Sequence, residues 1–355
     1  MPRTFSLELR NPSGKVHWSL LLIVAVLICA LSAFALRPKA PMAPPAFGKV
    51  KSLPQFVSRH KGSWFWLEMD KQKAKRLVSA DGGGLHTLAE AEELSRYAVS
   101  DDTLVWSARQ GKKWTLFRSG LNGREPRSLW SGDEEPLGLN IVQGRIFWVH
   151  RLPAPLPDSG PFSPLLPTLE ILALSSEGGV AQPVGRIPES EDGEILGGHD
   201  DSLYVITYRN AMPVKYCIYR VPMNTGAAVR VVGEAGRFNA LLTREGSLYW
   251  IAHSSEVTPA NSAACIKRLD KAGKPETLTD WLPGQGRFFE TPRGILYMDN
   301  GTSAHFWQVG TVDRFPEPLA MPQGFIALGA GDDALLTAYR GMVATEITLH
   351  QMPLP

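Results

Sequence analysis

The sequence predicts an all-β repeat fold, and three observations carry that expectation. A six-residue phrase is written three times, as DDTLVW (101–106), DDSLYV (201–206) and DDALLT (332–337). An apolar triplet returns along nearly the whole chain. The C-terminus stops one strand short of completing its own unit.

Anchored on the triplet, the chain reads Trp64-Phe65-Trp66, Leu104-Val105-Trp106, Ile146-Phe147-Trp148, Leu203-Tyr204-Val205, Leu248-Tyr249-Trp250, Leu296-Tyr297-Met298 and Leu335-Leu336-Thr337. The spacings are 40, 42, 57, 45, 48 and 39 residues. Three adjacent apolar positions between turn residues describe a strand covered on both faces. Seven residues upstream of each triplet stands an apolar column: Val57, Tyr97, Leu139, Leu196, Leu241, Phe289 and Leu328. The next position reads Ser58, Ala98, Asn140, Gly197, Leu242, Glu290 and Gly329, mostly small or polar. That pairing is the period-2 signature of a strand with one packed and one restricted face. The Asp pairs fall in the turn between these two strands, where Asp bonds its own backbone.

Downstream of each triplet come a third strand, a polar turn and a fourth strand, as in CIYRVPMNTGAAVRVV (217–232). Gly and Asn at the tip suit tight hairpins. Each unit is therefore a four-stranded antiparallel meander of roughly 40 to 45 residues, the length of a propeller blade. The last unit runs out after MVATEITLH (342–350), while VKSLPQFVS (50–58) lines up with PLAMPQGFIA (318–327). The strand 49–53 is thus expected to complete the last blade and remove the open edge of the ring. The expected fold is a seven-bladed β-propeller of four-stranded antiparallel blades, spanning 49–355 and preceded by one N-terminal transmembrane helix.

LYW (248–250) resembles the second-strand motif of the TolB-like and YWTD-like propellers, and IYRVPMNTG (218–226) resembles their third strand and turn. The resemblance extends from Lys49 to the C-terminus. It implies a shape and no particular activity.

Ahead of the repeats, WSLLLIVAVLICALSAFAL (18–36) carries no charge over 19 residues. At about 1.5 Å per residue such a helix just crosses a ~30 Å hydrocarbon layer. It reads as an uncleaved signal anchor, the alternative being a signal peptide cut near Ala35 after the small-x-small run Ala33-Phe34-Ala35. The basic tail 1–17 would then lie in the cytoplasm and the large domain outside it. The Pro-rich stretch 37–48 reads as a stiff linker.

Composition narrows the function classes. The 355 residues are 44% apolar and 20% charged with a formal net charge of +2, and no basic run interleaves with aromatics. Nucleic acid is not an expected partner. No G-x-S-x-G elbow and no H-x-x-x-H pair occurs, and neither a cofactor nor a metal site is expected. Cys217 and Cys265 open the third strands of successive units, which diverge from the axis, so no disulfide is expected. Cys29 lies in the apolar span.

Two features point to function. The restricted column should line the central channel, where Glu290 could act as acid or base and Asn140 could orient a substrate. Long connections at 151–168, 208–216 and 253–264 should rise on one rim, exposing Phe162, Leu165 and Leu166 to a protein partner or small ligand. The reading is a membrane-anchored extracytoplasmic scaffold that binds a protein or ligand rather than a catalyst. The alternative is a propeller enzyme of hydrolase or lyase type with its site at the channel mouth.

Overall fold

The computed structural model describes residues 46–70, 73–153, 167–209, 215–224, 226–235, 240–253, 263–269, 273–278, 282–283, 286–291, 294–299, 306–309, 317–319, 325–331, 333–339 and 347–353. The span 18–36, most of the linker 37–48, Cys29 and the rim residues Phe162, Leu165 and Leu166 lie outside them. All regular structure among the described residues is β-strand, arranged in six antiparallel hydrogen-bonded sheets.

Strand β1 (Ala46–Val50) precedes a seven-stranded sheet of β2 (Gln55–His60), β3 (Ser63–Asp70), β4 (Lys73–Asp81), β5 (Gly84–Ser100), β6 (Thr103–Gln110), β7 (Lys113–Gly120) and β8 (Arg127–Gly132). The next sheet is β9 (Leu137–Val142), β10 (Arg145–Leu152), β11 (Thr168–Ser175) and β12 (Gln182–Ile187). It is followed by β13 (Asp192–His199), β14 (Ser202–Arg209), β15 (Lys215–Pro222) and β16 (Val229–Ala235). Then come β17 (Ala240–Leu242), β18 (Leu248–His253), β19 (Ala263–Leu269) and β20 (Pro275–Thr277), with β21 (Leu282–Pro283) also paired to β19. The fifth sheet is β22 (Gly286–Thr291), β23 (Gly294–Asp299), β24 (Phe306–Val309) and β25 (Glu317–Leu319). The last joins β26 (Phe325–Ala330), β27 (Ala334–Tyr339), β28 (Ile347–Pro353) and β1.

Two details differ from the sequence expectation. The 17-residue β5 pairs with β4 through its first half and with β6 through its second. It is the outer strand of one meander and the first strand of the next, so those two share one continuous sheet. The closing strand also lies earlier than 49–53. Ala46–Val50 pairs with β28, with Lys49 opposite Thr348 and Val50 opposite Ile347, and the chain bends at 51–52.

Period-2 alternation builds the core. Trp64 and Trp66 of β3 pack with Val50, Leu336 and Leu349 of the sheet that closes the chain. Phe65 and Leu67, one step over, pack with Leu104 and Trp106 of the following unit. On β10, Ile146 and Trp148 face Val105 and Leu116, while Phe147 and Val149 face Leu203 and Val205. Successive side chains of a strand point to opposite faces, so each triplet serves two interfaces at once. Trp66, Trp148 and Phe147 are fully enclosed at 0% exposure. Removing one such aromatic costs about 3–5 kcal/mol. The cores therefore lie between consecutive units, and each sheet is held by its neighbours.

The hairpins joining first to second strands use residues that tolerate positive φ. Asp200 and Asp201 have φ of 46° and 54°, and Lys61 and Gly62 have 47° and 81°. These are the two-residue turns whose twist matches antiparallel strands. Lys61 reaches the next such turn, its Nζ 2.7 Å from Asp102 Oδ1, and Arg59 pairs with Asp333 of the closing sheet. The Asp pairs thus sit on separate units. Asp332 is not among the described residues.

Candidate functional site

The first strands are not smooth ladders. The register of β2 on β3 shifts between Gln55 and Ser58, that of β5 on β6 between Leu94 and Tyr97, and that of β13 on β14 between Ile195 and Gly197. A further shift falls on β9 opposite Phe147 and Val149. Bulges re-aim side chains, and here they do so at one level of successive first strands.

At the first bulge Phe56 adopts φ 54° and is 41% exposed. A bulky residue in the left-handed region is held there by its surroundings. The Tyr97 phenol supplies the hold. Its single hydrogen is shared between the carbonyls of Phe56 and Phe65, the latter at 2.8 Å, and its oxygen accepts from the Ser58 hydroxyl at 2.9 Å. Burial pushes the Tyr97 pKa up, which keeps this donor protonated. The Arg96 guanidinium lies 4.4 Å from the centre of the Phe56 ring. At the second bulge the fully buried Ser107 hydroxyl takes up the loose backbone, accepting from Arg96 N at 3.1 Å and donating to Arg96 O at 3.4 Å.

These strands surround a cavity of about 580 Å³ lined by residues of β2, β5, β9, β13, β17 and β22. Its charged groups are Arg96 on β5, Asp192 and Glu194 on β13, and Arg287 on β22. Asp192 Oδ1 accepts the Gly193 amide at 2.8 Å, and Arg96 Nη1 donates to Ser95 O at 3.0 Å. Burial raises the Glu194 pKa, against the pull of Arg96 and Arg287 and reinforced by Asp192. Gly138 on β9 has φ 53°, and a Cβ there would stand 2.8 Å from Gly193 O. Only glycine lets β9 approach the strand carrying Glu194 so closely.

Of the two channel residues expected from sequence, Asn140 does line the cavity. Its amide belongs to the framework, with Nδ2 donating to Ile195 O at 3.0 Å and Oδ1 accepting the Ile141 amide at 2.8 Å. Glu290 is not among the lining residues. Its carboxylate oxygens accept the Arg244 amide at 3.1 and 3.2 Å, clasping the turn of the preceding unit. The cause is register. The run facing the preceding unit is Ile295 and Tyr297, 6% and 0% exposed, so the true triplet begins at Ile295 and not Leu296. A one-residue slip turns every side chain to the other face, and Phe289 and Arg287 take the channel positions. Cys217 on β15 and Cys265 on β19 are not joined in a disulfide, and their thiols donate to Gly233 O at 3.2 Å and Ala252 O at 3.6 Å.

Sequence reading missed Arg96, Asp192, Glu194 and Arg287. One further step of two residues up the restricted column does give Phe56, Arg96 and Gly138. The bulge of β13 and the register of β22 hide the remaining positions.

No protein-family model and no curated protein matches the sequence. Solved structures match in shape. An oligogalacturonate lyase in complex with manganese aligns over 86% of this chain and 90% of its own, at TM-score 0.59 and 10% identity. An acylaminoacyl peptidase bound to a chloromethyl ketone aligns over 86% of this chain at TM-score 0.58 and 11% identity, and the chain spans only 52% of its length. The propeller domain of the trilobed protease from Pyrococcus furiosus gives TM-score 0.58 and 8% identity over 86% of this chain and 98% of its own. That domain is described as having an open velcro topology, whereas here β1 pairs with β28. These likenesses show the fold alone, and it is that of a β-propeller.

Proposed function

We propose that the chain is a membrane-anchored, extracytoplasmic seven-bladed propeller that binds a small charged ligand in its axial cavity. Counting β5 as the outer strand of one blade and the first strand of the next supports a count of seven. The observation that carries the binding role is the cavity itself, about 580 Å³ with four charged side chains delivered by three first strands. Its size lies in the usual range for small-molecule sites, and rigid strands hold its polar groups. The span 18–36 supplies the anchor, and the rim connections with Phe162, Leu165 and Leu166 supply a second surface for a protein partner.

The test is thermal unfolding of the full chain in detergent against a panel of small charged metabolites, wild type beside Arg287→Ala. A compound that stabilises wild type by several degrees and the variant by far less supports the reading. A flat response across the panel removes it. Recovery of the chain in the soluble fraction after alkaline extraction of membranes removes the anchor. Unchanged proximity labelling after deletion of 153–166 removes the rim surface.

A second reading, an enzyme of hydrolase or lyase type, rests on Glu194, because a carboxyl with a raised pKa in a cavity suits general acid work. It transfers the acid role from Glu290. Turnover retained in full by Glu194→Gln would remove it.

A further inference from the structure

The charges around the cavity are spaced, and the spacing is regular. Arg96 comes from β5, Asp192 and Glu194 from β13, and Arg287 from β22. Between them stand β9 and β17, which present Gly138, Leu139, Asn140, Ala240 and Leu241, all uncharged. Cation, neutral strand, anion, neutral strand, cation is thus the order along this arc. Phe56 adds an exposed aromatic ring beside Arg96.

Elsewhere this protein pairs its charges freely. Arg76 meets Glu68 at 2.6 Å, Arg186 meets Glu170 at 2.8 Å and Arg268 meets Glu276 at 2.8 Å. Among the described residues no salt bridge joins Arg96 or Arg287 to Asp192 or Glu194, and no hydrogen bond closes on the Glu194 carboxylate. Arg96 Nε is buried and has no partner there either. The intervening strands bring no charge to the cavity, and the polar side chain that β9 does bring, Asn140, is committed to backbone groups. Glu194 and the inner part of Arg96 are shielded from solvent without an ionic partner, and a complementary ligand relieves the desolvation cost that this carries.

Resting on the binding reading above, we propose that the axial cavity takes a small zwitterionic amino-carboxylate, an amino acid or short peptide. Its carboxylate meets Arg96 and Arg287, its ammonium meets Asp192 and Glu194, and an apolar side chain lies on Phe56. A simple anion would satisfy the arginines and leave two carboxylates facing it. A simple cation would do the reverse.

Isothermal titration of the full chain in detergent tests this with L-phenylalanine and glycyl-L-phenylalanine as zwitterions. Phenylacetate lacks the ammonium and phenethylamine lacks the carboxylate. At least one zwitterion is expected to bind about tenfold or more tighter than either half-probe, since each end loses a charge-assisted contact. Arg287→Ala, at an exposed position, should weaken the zwitterion and phenylacetate and leave phenethylamine unchanged. Glu194→Gln should weaken the zwitterion and phenethylamine and spare phenylacetate. Zwitterions that bind no tighter than the half-probes overturn the proposal, as does an Arg287→Ala variant that weakens all four probes alike. Binding of singly charged compounds without gain from the second charge leaves the binding module standing and removes only its ligand class. A chain silent to the wider metabolite panel removes the module itself.

Discussion

Tyr97→Phe isolates the device that holds the site in shape. The ring stays in its core and only the hydroxyl is lost. That hydroxyl donates to the Phe56 and Phe65 carbonyls and accepts from Ser58, joining two consecutive first strands. Counting one donated and one accepted bond at about 1 kcal/mol each gives a loss of about 2 kcal/mol. For a unit of about 300 residues, unfolding entropy near 2.1 cal/mol/K per residue converts 1 kcal/mol to about 1.5 °C, so the midpoint should fall by about 3 °C. Ser58→Ala removes only the accepted bond and should cost about half as much. The double variant should cost little more than Tyr97→Phe alone, because the two side chains share that bond. The assay is thermal unfolding of the full chain followed by circular dichroism. Since Phe56 has φ 54° and depends on this clamp, ligand affinity should fall with stability. A Tyr97→Phe midpoint within about 1 °C of wild type, or strictly additive variants, would refute the assignment.

Three further outcomes are expected. Trp148→Ala should cost about 4 kcal/mol, since the ring is 0% exposed and packs 5.3 Å from Trp130. Trp148→Phe should cost much less, because the buried indole N–H has no partner among the described residues. Chemical denaturation measures both. Glu194 has a folded pKa above its ordinary 4.5, so the native state holds the extra proton and stability falls as pH rises through that window. Glu194→Gln should therefore gain on wild type towards neutral pH, and the two melting curves should converge in acid. Parallel curves at every pH would contradict the burial of that carboxyl. Val50→Asp sets a carboxylate at a position 4% exposed between β28 and the Trp64 core, and should cost about 4 kcal/mol or more. It should also free the edge of β28 for association, visible as larger species in size-exclusion chromatography.

The fold was legible because its main signal is local and repeated. A strand buried on both faces needs consecutive apolar residues, and Trp64 to Trp66 or Ile146 to Trp148 can be recognised without knowing what covers them. Two-residue hairpin turns demand positive φ, which Gly, Asp and Asn tolerate best, and such residues punctuate the triplets at Gly62 and Asp200-Asp201, with Lys61 the exception. The site was less legible because it depends on which way single residues point. Glu290 and Arg287 differ by three positions on one strand, so a register error of one exchanges the face each occupies. Phe56 and Glu194 reach the cavity beside bulges, which break the period that the column relied on.

By itself the sequence determined that the chain is a succession of antiparallel meanders and that its front end supplies the strand missing at its back. Both follow from hydrophobic period and turn chemistry, which act over a few residues. Only the tertiary structure decided that β5 joins two meanders, that Asn140 and Glu290 are committed to backbone groups, and that Arg96, Asp192, Glu194 and Arg287 share one cavity. Those facts arise where strands distant in the chain meet, and side-chain direction there is set by bulges and by the approach of neighbouring backbones, as at Gly138.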